Sequence, residues 1–551
     1  MRFNKFVLVP FALIAATACK DPLSVDNLNN PDVSRVFATP RDVEALTASL
    51  YQQVHSATFG SNTIYPQMLT ASFENASALA NFGLGPRSSI PRSPIANQRA
   101  NPYAFENLND FNQLQRTART ASNILRRIAD TSFTLGSPGA DARINAFTRF
   151  GYGLALGNVA LVYDSASIPY PTDIPDSIAF MLDLVGAKEV MAYAIQQLDS
   201  AITIASAPTA ATGFPLPVSW LNGNALSQAN FIKFVRSYRA RFRANIARTP
   251  AERTAVDWAA VLADGQAGIT ADFRISMDPS IGWDVPWLAT TLHYRDINWH
   301  QMTNYIIGMA DTSGAYRGWL ATDRDARVQV LIRTPDKRFP AGQTRAAQNA
   351  VGQGAPPDTS RRYFRNRTTG DAVGLGWANS QYDHYRWRAF ASASRIGPFP
   401  VFTRAENDML AAEALIMLNR VPEAAVLIDR TRVTAGLPAL TGELTARGQL
   451  VPGATACVPQ IPVGPSFSTT VCGDVFEAMK WEKRMESAYA GYGVWFFDSR
   501  GWGDLAVGTA YEWPVPYQEM DARRKPFYNL GGIGNRSAAG MSTYGFGSGN
   551  K

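Results

Sequence analysis

Residues 404–438 read RAENDMLAAEALIMLNRVPEAAVLIDRTRVTAGLP, and this stretch decides the fold class. Ala405, Met409, Ala412 and Ile416 recur at spacings of three and four, which places them on one face of an α-helix. Asn419-Arg420-Val421-Pro422 interrupts the pattern, and proline is tolerated in the first turn of a following helix. Ala424, Ala425, Leu427 and Ile428 then begin a second apolar face. Two helices joined by so short a turn lie antiparallel. The small residues Ala411, Ala412 and Ala414, followed by Ala424 and Ala425, let the two backbones approach closely.

The same pattern recurs toward the N-terminus. Thr39-Pro40-Arg41-Asp42 is a helix start, with a capping threonine, a first-turn proline and an acidic residue suited to the helix dipole. Val43, Leu46, Leu50 and Val54 follow at helical spacing. Further faces run through Phe111, Leu114, Ala118 and Ala121, then Leu154, Leu156, Val159 and Val162, then Met191, Ala194, Leu198 and Ile202, then Phe231, Val235, Tyr238 and Phe242. Thr249-Pro250-Ala251-Glu252 is a capping box that predicts a helix carrying Trp258, Val261 and Leu262. Stacked antiparallel pairs follow tetratricopeptide logic, here in degenerate and interrupted form. The expected fold is mainly α, a degenerate tetratricopeptide-like helix-pair scaffold: an N-terminal helical scaffold over residues 39–270, a long irregular, loop-rich insert over residues 271–400, and a C-terminal helix pair and C-terminal region over residues 401–551.

In that insert the helical periodicity fades, and aromatics appear among Gly, Asp, Asn and Arg. Long irregular stretches inside a compact chain are usually functional. Trp283, Trp287, Trp299, Trp377, Tyr382 and Trp387 are therefore the expected ligand-binding residues, because ring faces pack well against flat ligands. The competing reading is that these rings plug the insert onto the scaffold.

Composition narrows the function classes. The chain has 551 residues, 46% of them hydrophobic and 18% charged, which suits a large packed core rather than disorder. The net charge of +7 is spread along the chain with no basic run, so a nucleic-acid partner is not expected. With 4 histidines and 3 cysteines, little material exists for a His- or Cys-based metal site. No His-Glu-x-x-His, phosphate-binding Gly-rich loop or Gly-x-Ser-x-Gly elbow occurs. Gly151-Tyr152-Gly153 is followed by Gly157, one residue too far for the dinucleotide-binding spacing, and lies in a helical pattern. His293 and His300 lack a third ligand pattern, and His384 between Asp383 and Tyr385 reads as a polar loop. Neither catalytic residues nor a cofactor nor a metal is expected.

The N-terminus reads as an address. Met1 to Lys5 are basic, Phe6 to Ala18 are apolar, and Ala16-Thr17-Ala18-Cys19 has small residues before a cysteine. Residues 1–18 are expected to be a lipoprotein signal peptide, Cys19 the lipid-modified (palmitate-type) residue, and residues 19–38 a polar tether. The alternative is an ordinary signal peptide with a chance cysteine. An exported chain meets an oxidising compartment, so Cys457 and Cys472 are expected to form a disulfide; two separate buried thiols are the alternative.

Four blocks together resemble the SusD/RagB family. They are Cys19 with Asp21-Pro22-Leu23; Leu161-Val162-Tyr163-Asp164 with Ile168-Pro169-Tyr170; Arg404-Ala405-Glu406 through Ala412-Glu413-Ala414 to Arg430-Thr431-Arg432 and Ala435-Gly436-Leu437-Pro438; and Glu482-Lys483-Arg484-Met485-Glu486 through Trp495 and Asp498 to Arg500-Gly501-Trp502-Gly503-Asp504-Leu505 and Trp513-Pro514-Val515-Pro516. The chain departs from the family pattern at Asp164, Ala490, Gly493 and Asn529-Leu530-Gly531-Gly532. The resemblance implies a non-catalytic, surface-exposed outer-membrane lipoprotein that binds oligosaccharides or peptides. It also implies a partner, a SusC-like TonB-dependent outer-membrane transporter. A surface glycan hydrolase and a structural lid without ligand contact are the other readings. Glu482, Glu486 and Asp498, beside Arg484 and Arg500, are expected to form internal ion pairs that pin the last helices to the scaffold rather than a catalytic site.

Overall fold

The computed structural model describes residues 37–60, 62–77, 83–171, 182–286, 302–350, 362–367 and 380–549. Cys19, Trp287, His293, Trp299, His300 and Trp377 lie outside the described residues.

Helix α1 (Pro40–Phe59) begins as its sequence predicts. Thr39 Oγ1 accepts the Asp42 N–H at 3.2 Å, and the Asp42 carboxylate accepts the Thr39 N–H at 3.3 Å. It buries Val43, Leu50 and Val54. Helix α2 (Phe105–Ile128) packs on it and on α3 (Pro138–Val162), which is capped by Ser137. From Phe150 to Val162, α3 is buried on every side. A helix so enclosed needs its neighbours close, and its glycines supply the room. A methyl group at Gly157 would sit 2.1 Å from the Phe242 ring, and one at Gly153 would sit 2.7 Å from Leu198. The glycine spacing thus serves helix packing.

Helices α4 (Ala187–Ser206), α5 (Gln228–Asn245) and α6 (Trp258–Gln266) follow, each packed on the one before, and α6 in turn packs on α7 (Arg404–Met417). Helix α8 (Val421–Arg432) returns against α7, and α9 (Val475–Ser487) covers both before α10 (Val494–Trp502). The capping box at Thr249 opens only a short helix, Pro250–Thr254. The chain breaks at Val256-Asp257, and Asp257 caps α6 by accepting the Ala260 N–H at 3.0 Å. The architecture is a mainly α, tetratricopeptide-like array, and its apolar core is continuous from α1 to α10.

The insert leaves and re-enters the array at one place. It opens with β1 (Phe273–Met277), forms a short ribbon from β2 (Phe364–Asn366) and β3 (Tyr382–His384), and closes with β4 (Gly397–Phe402), which is antiparallel to β1. His384 is not in a polar loop. It is buried in β3, its ring 5.5 Å from Phe364 and 4.9 Å from Tyr489. Its neighbour Asp383 is drawn inside by Arg365, at 3.0 Å. Past α8, β5 (Gln460–Val463) and β6 (Thr469–Cys472) form an antiparallel hairpin with Ile461 opposite Val471. A disulfide joins Cys457 to Cys472, with Cα atoms 5.7 Å apart.

Candidate functional site

The charged motif residues are sealed inside. Arg253 donates to Glu413 at 2.6 and 2.8 Å and reaches Asp498 at 3.2 Å, while Lys483 holds Asp498 at 2.8 Å and the Trp502 indole donates to Glu413 at 2.8 Å. Arg338, at the far side of α9, donates to Asp336 at 2.8 Å, Glu482 at 3.0 Å and Glu486 at 3.3 Å, which ties the insert to that helix. Burial opposes the charge on Arg338, but the Asp336 and Glu482 carboxylates outweigh it and keep the group protonated. The expected ion pairs therefore exist, but their partners are Arg253, Lys483 and Arg338. Arg484 pairs instead with Asp504 at 2.5 Å. Arg500 donates to the carbonyls of Leu161, Tyr511 and Asn245 at 2.7 to 2.8 Å. Tyr163 lies beside Trp513, whose N–H donates to Val162 C=O at 2.8 Å, so blocks far apart in sequence meet in one core. Groups so buried and paired do not face a ligand.

The described aromatics of the insert correct the expectation of exposed platforms. Trp283 is 4% exposed and packs 5.3 Å from His55 and 6.2 Å from Tyr51. Tyr382 is fully buried; its hydroxyl accepts the Ile332 N–H at 2.9 Å and donates to Gln348 at 3.0 Å. Trp387 is 9% exposed and donates to Ala488 C=O at 2.9 Å. A large apolar ring set against a packed scaffold is more stable inside than out, and for Tyr382 and Trp387 the scaffold also offers a hydrogen-bond partner for the polar atom. These three rings are core plugs.

Open clefts of ligand size among the described residues include two on the scaffold. One, of about 420 Å³, lies among α6, α7 and α8. Its charges are matched internally: Asp408 pairs with Arg430 at 2.8 Å and Arg404 at 3.3 Å, and Arg420 pairs with Glu423. The other, of about 440 Å³, lies where residues 311–317 of the insert face the disulfide-closed hairpin. Here Asp311 shapes the wall. Its carboxylate accepts from Ser313 Oγ at 2.7 Å and from the backbone N–H groups of Tyr316 and Arg333 at 3.0 Å. Tyr316 is turned inward and donates to Tyr305 C=O at 2.9 Å, so its ring face is not offered to the cleft. Arg317 is exposed in the wall, and no ion pair or hydrogen bond occupies it among the described residues. Leu450 and Val471, 58% and 45% exposed, form an apolar rim, and Thr470, Thr455 and Gln460 add polar groups. This second cleft is the candidate site, because it alone of the two holds an uncommitted charge beside exposed apolar surface. Sequence reasoning missed Arg317, Leu450 and Thr470, since nothing in their local pattern separates them from other loop residues.

Among the described residues no His, Cys, Asp and Glu group is arranged to hold a metal ion. Among the same residues no helix is long and apolar enough to cross a membrane. No protein-family model matches the sequence, and no curated protein matches it. Solved structures do match. A SusD superfamily protein from Bacteroides vulgatus ATCC 8482 superposes with a TM-score of 0.51 at 13% identity, over 88% of this chain and 97% of that one. A SusD-like protein from Bacteroides fragilis NCTC 9343 gives 0.51 at 13% identity, over 86% and 87%. A SusD superfamily protein from Bacteroides fragilis gives 0.51 at 13% identity, over 88% and 98%. With a mainly helical, tetratricopeptide-like array matched over 86% to 88% of its length, the chain has the fold of the SusD superfamily.

Proposed function

We propose that the protein is a non-catalytic binding lipoprotein of an outer-membrane nutrient-uptake complex. In this reading residues 1–18 are removed, Cys19 carries lipid, and residues 19–38 tether the folded chain to the outer membrane. The folded chain takes up oligosaccharides or peptides at the cell surface and passes them to a SusC-like TonB-dependent transporter. The observation that carries the reading is the SusD-superfamily fold spanning 88% of the chain. The cleft between insert and hairpin supports it by offering a surface of ligand size on a rigid scaffold. Fold alone does not specify function, so the site must be tested directly.

The test has two parts. Cys19→Ala should shift the protein out of the membrane fraction and abolish acyl labelling; retained label refutes the anchor. The purified chain is then incubated with glycan and peptide arrays. Binding without cleavage is the expected result. Cleavage of a labelled oligosaccharide would replace binding by hydrolysis, and a chain that binds neither array would be a lid without ligand contact.

A further inference from the structure

The hairpin that walls the candidate cleft is two-stranded, and β6 leaves one edge open. Its register shows which groups that edge presents. The Gly473 N–H donates to Pro459 C=O at 2.9 Å, and the ladder runs Gln460 opposite Cys472, Ile461 opposite Val471, Pro462 opposite Thr470 and Val463 opposite Thr469. Hydrogen-bonded and non-hydrogen-bonded pairs alternate in an antiparallel ladder. The hydrogen-bonded pairs are therefore Ile461–Val471 and Val463–Thr469, and Pro462 falls where no N–H is required. Thr470 and Cys472 consequently turn their backbone N–H and C=O groups away from β5. No backbone partner meets those groups among the described residues. Both residues line the cleft, and the short helix Ala315–Ala321 contacts β6 from across it.

A groove bounded by an open strand edge and a helix is the geometry that accepts an extended chain as an added strand. The protein itself continues pairing at the end of this strand: Val451 N–H donates to Gly473 C=O at 2.8 Å, and Leu450 lies opposite Asp474. We infer that the cleft binds a short extended peptide, added to the free edge of β6 through Thr470 and Cys472, with an acidic group of the peptide on Arg317 and aliphatic side chains against Leu450 and Val471. The inference rests on the binding function proposed above and names its ligand class. Three observations favour a peptide over a sugar. The free amide groups recur at strand spacing, roughly 7 Å for two residues. The aromatic in the wall, Tyr316, keeps its ring buried. The rim is aliphatic. Charge sets the preference for acidic peptides. Asp311 faces its own turn and is occupied by Ser313, Tyr316 and Arg333, which leaves Arg317 uncompensated in the wall.

The test uses the full mature chain and four probes: a blocked hexapeptide of alternating valine and glutamate, its lysine counterpart, a copy N-methylated on alternate amides, and a neutral glucan oligosaccharide. Calorimetry should show binding of the glutamate peptide. The N-methylated copy should bind at least tenfold more weakly, because its amides no longer donate to the strand edge. Arg317→Glu should weaken the glutamate peptide at least tenfold and strengthen the lysine peptide. Thr470→Pro removes an edge donor that β5 does not use, and should weaken both peptides with the melting temperature held. Equal binding of the glutamate and lysine peptides overturns the role of Arg317, and undiminished binding of the N-methylated copy overturns strand addition. Glucan binding without peptide binding overturns the inference and leaves the nutrient-binding reading intact. Failure to bind any member of either array overturns both. Self-association abolished by Thr470→Pro would show that a second copy, not a peptide, occupies the edge, and would overturn the inference.

Discussion

Glu74→Gln should make the folded chain more resistant to alkaline conditions, because Glu74 is buried in neutral form. Its carboxyl accepts the Tyr489 N–H at 2.6 Å, the Tyr489 hydroxyl donates back to the Glu74 C=O at 3.3 Å, and no ion pair with a cation forms among the described residues. Burial raises its pKa from 4.5 to about 8, and the Tyr489 amide only partly opposes this. The folded value lies above the unfolded one. The stability it contributes is therefore fully present below about 4.5 and is lost as pH rises through about 8. Between pH 5 and pH 8 the unfolded chain gains the ionisation that the folded chain resists, a difference of roughly 3 kcal/mol. Glutamine keeps the acceptor for Tyr489 and cannot ionise. Urea unfolding of both proteins at pH 5, 7 and 8, with the disulfide intact, reads the difference. Wild type should lose stability over this window by roughly 3 kcal/mol more than the variant, and subtraction cancels groups common to both. Asp110, accepting from Tyr492 at 2.5 Å and raised to about 8 by burial, supplies a second loss that Asp110→Asn removes. Parallel pH slopes for wild type and Glu74→Gln would mean that Glu74 is ionised in the fold, and the reasoning would be wrong.

Other perturbations test the packing. Gly157→Ala places a methyl group 2.1 Å from the Phe242 ring, and the strain of about 1–3 kcal/mol should exceed the helix-propensity gain of about 1 kcal/mol. Gly318→Ala, with nothing within 4 Å of the new methyl, should instead stabilise by about 0.5–1 kcal/mol; opposite shifts in melting temperature for the two are the check. Trp387→Ala should destabilise by about 3–5 kcal/mol in denaturant unfolding, as a core plug does; an unchanged midpoint would show a surface ring. Replacing Cys457 and Cys472 together by Ala should lower stability by roughly 3 kcal/mol on the chain-entropy account, given a sequence separation of 15.

Local chemistry was legible where it acts locally. The three- and four-residue spacing at 404–438 and the caps at Thr39 and Thr249 appear in the structure as helix faces and helix starts, because both depend on neighbours within one turn. The break at Val256-Asp257 was less visible, since Asp257 caps a new helix through a side-chain bond that competes with the helix already begun.

What the amino-acid order determined by itself was the run of helical faces and the short turn between α7 and α8. What only the tertiary structure decided was which polar and aromatic groups face inward. Trp283, Tyr382 and Trp387 look as exposed as any loop aromatic until His55, Ile332 and Ala488 are brought beside them from far along the chain. Arg253, Arg338 and Arg317 are alike in sequence. The first two meet buried carboxylates more than a hundred residues away, and the third meets none among the described residues. Burial and pairing are long-range outcomes of packing, so a group's freedom to bind a ligand is settled only when the distant elements come together.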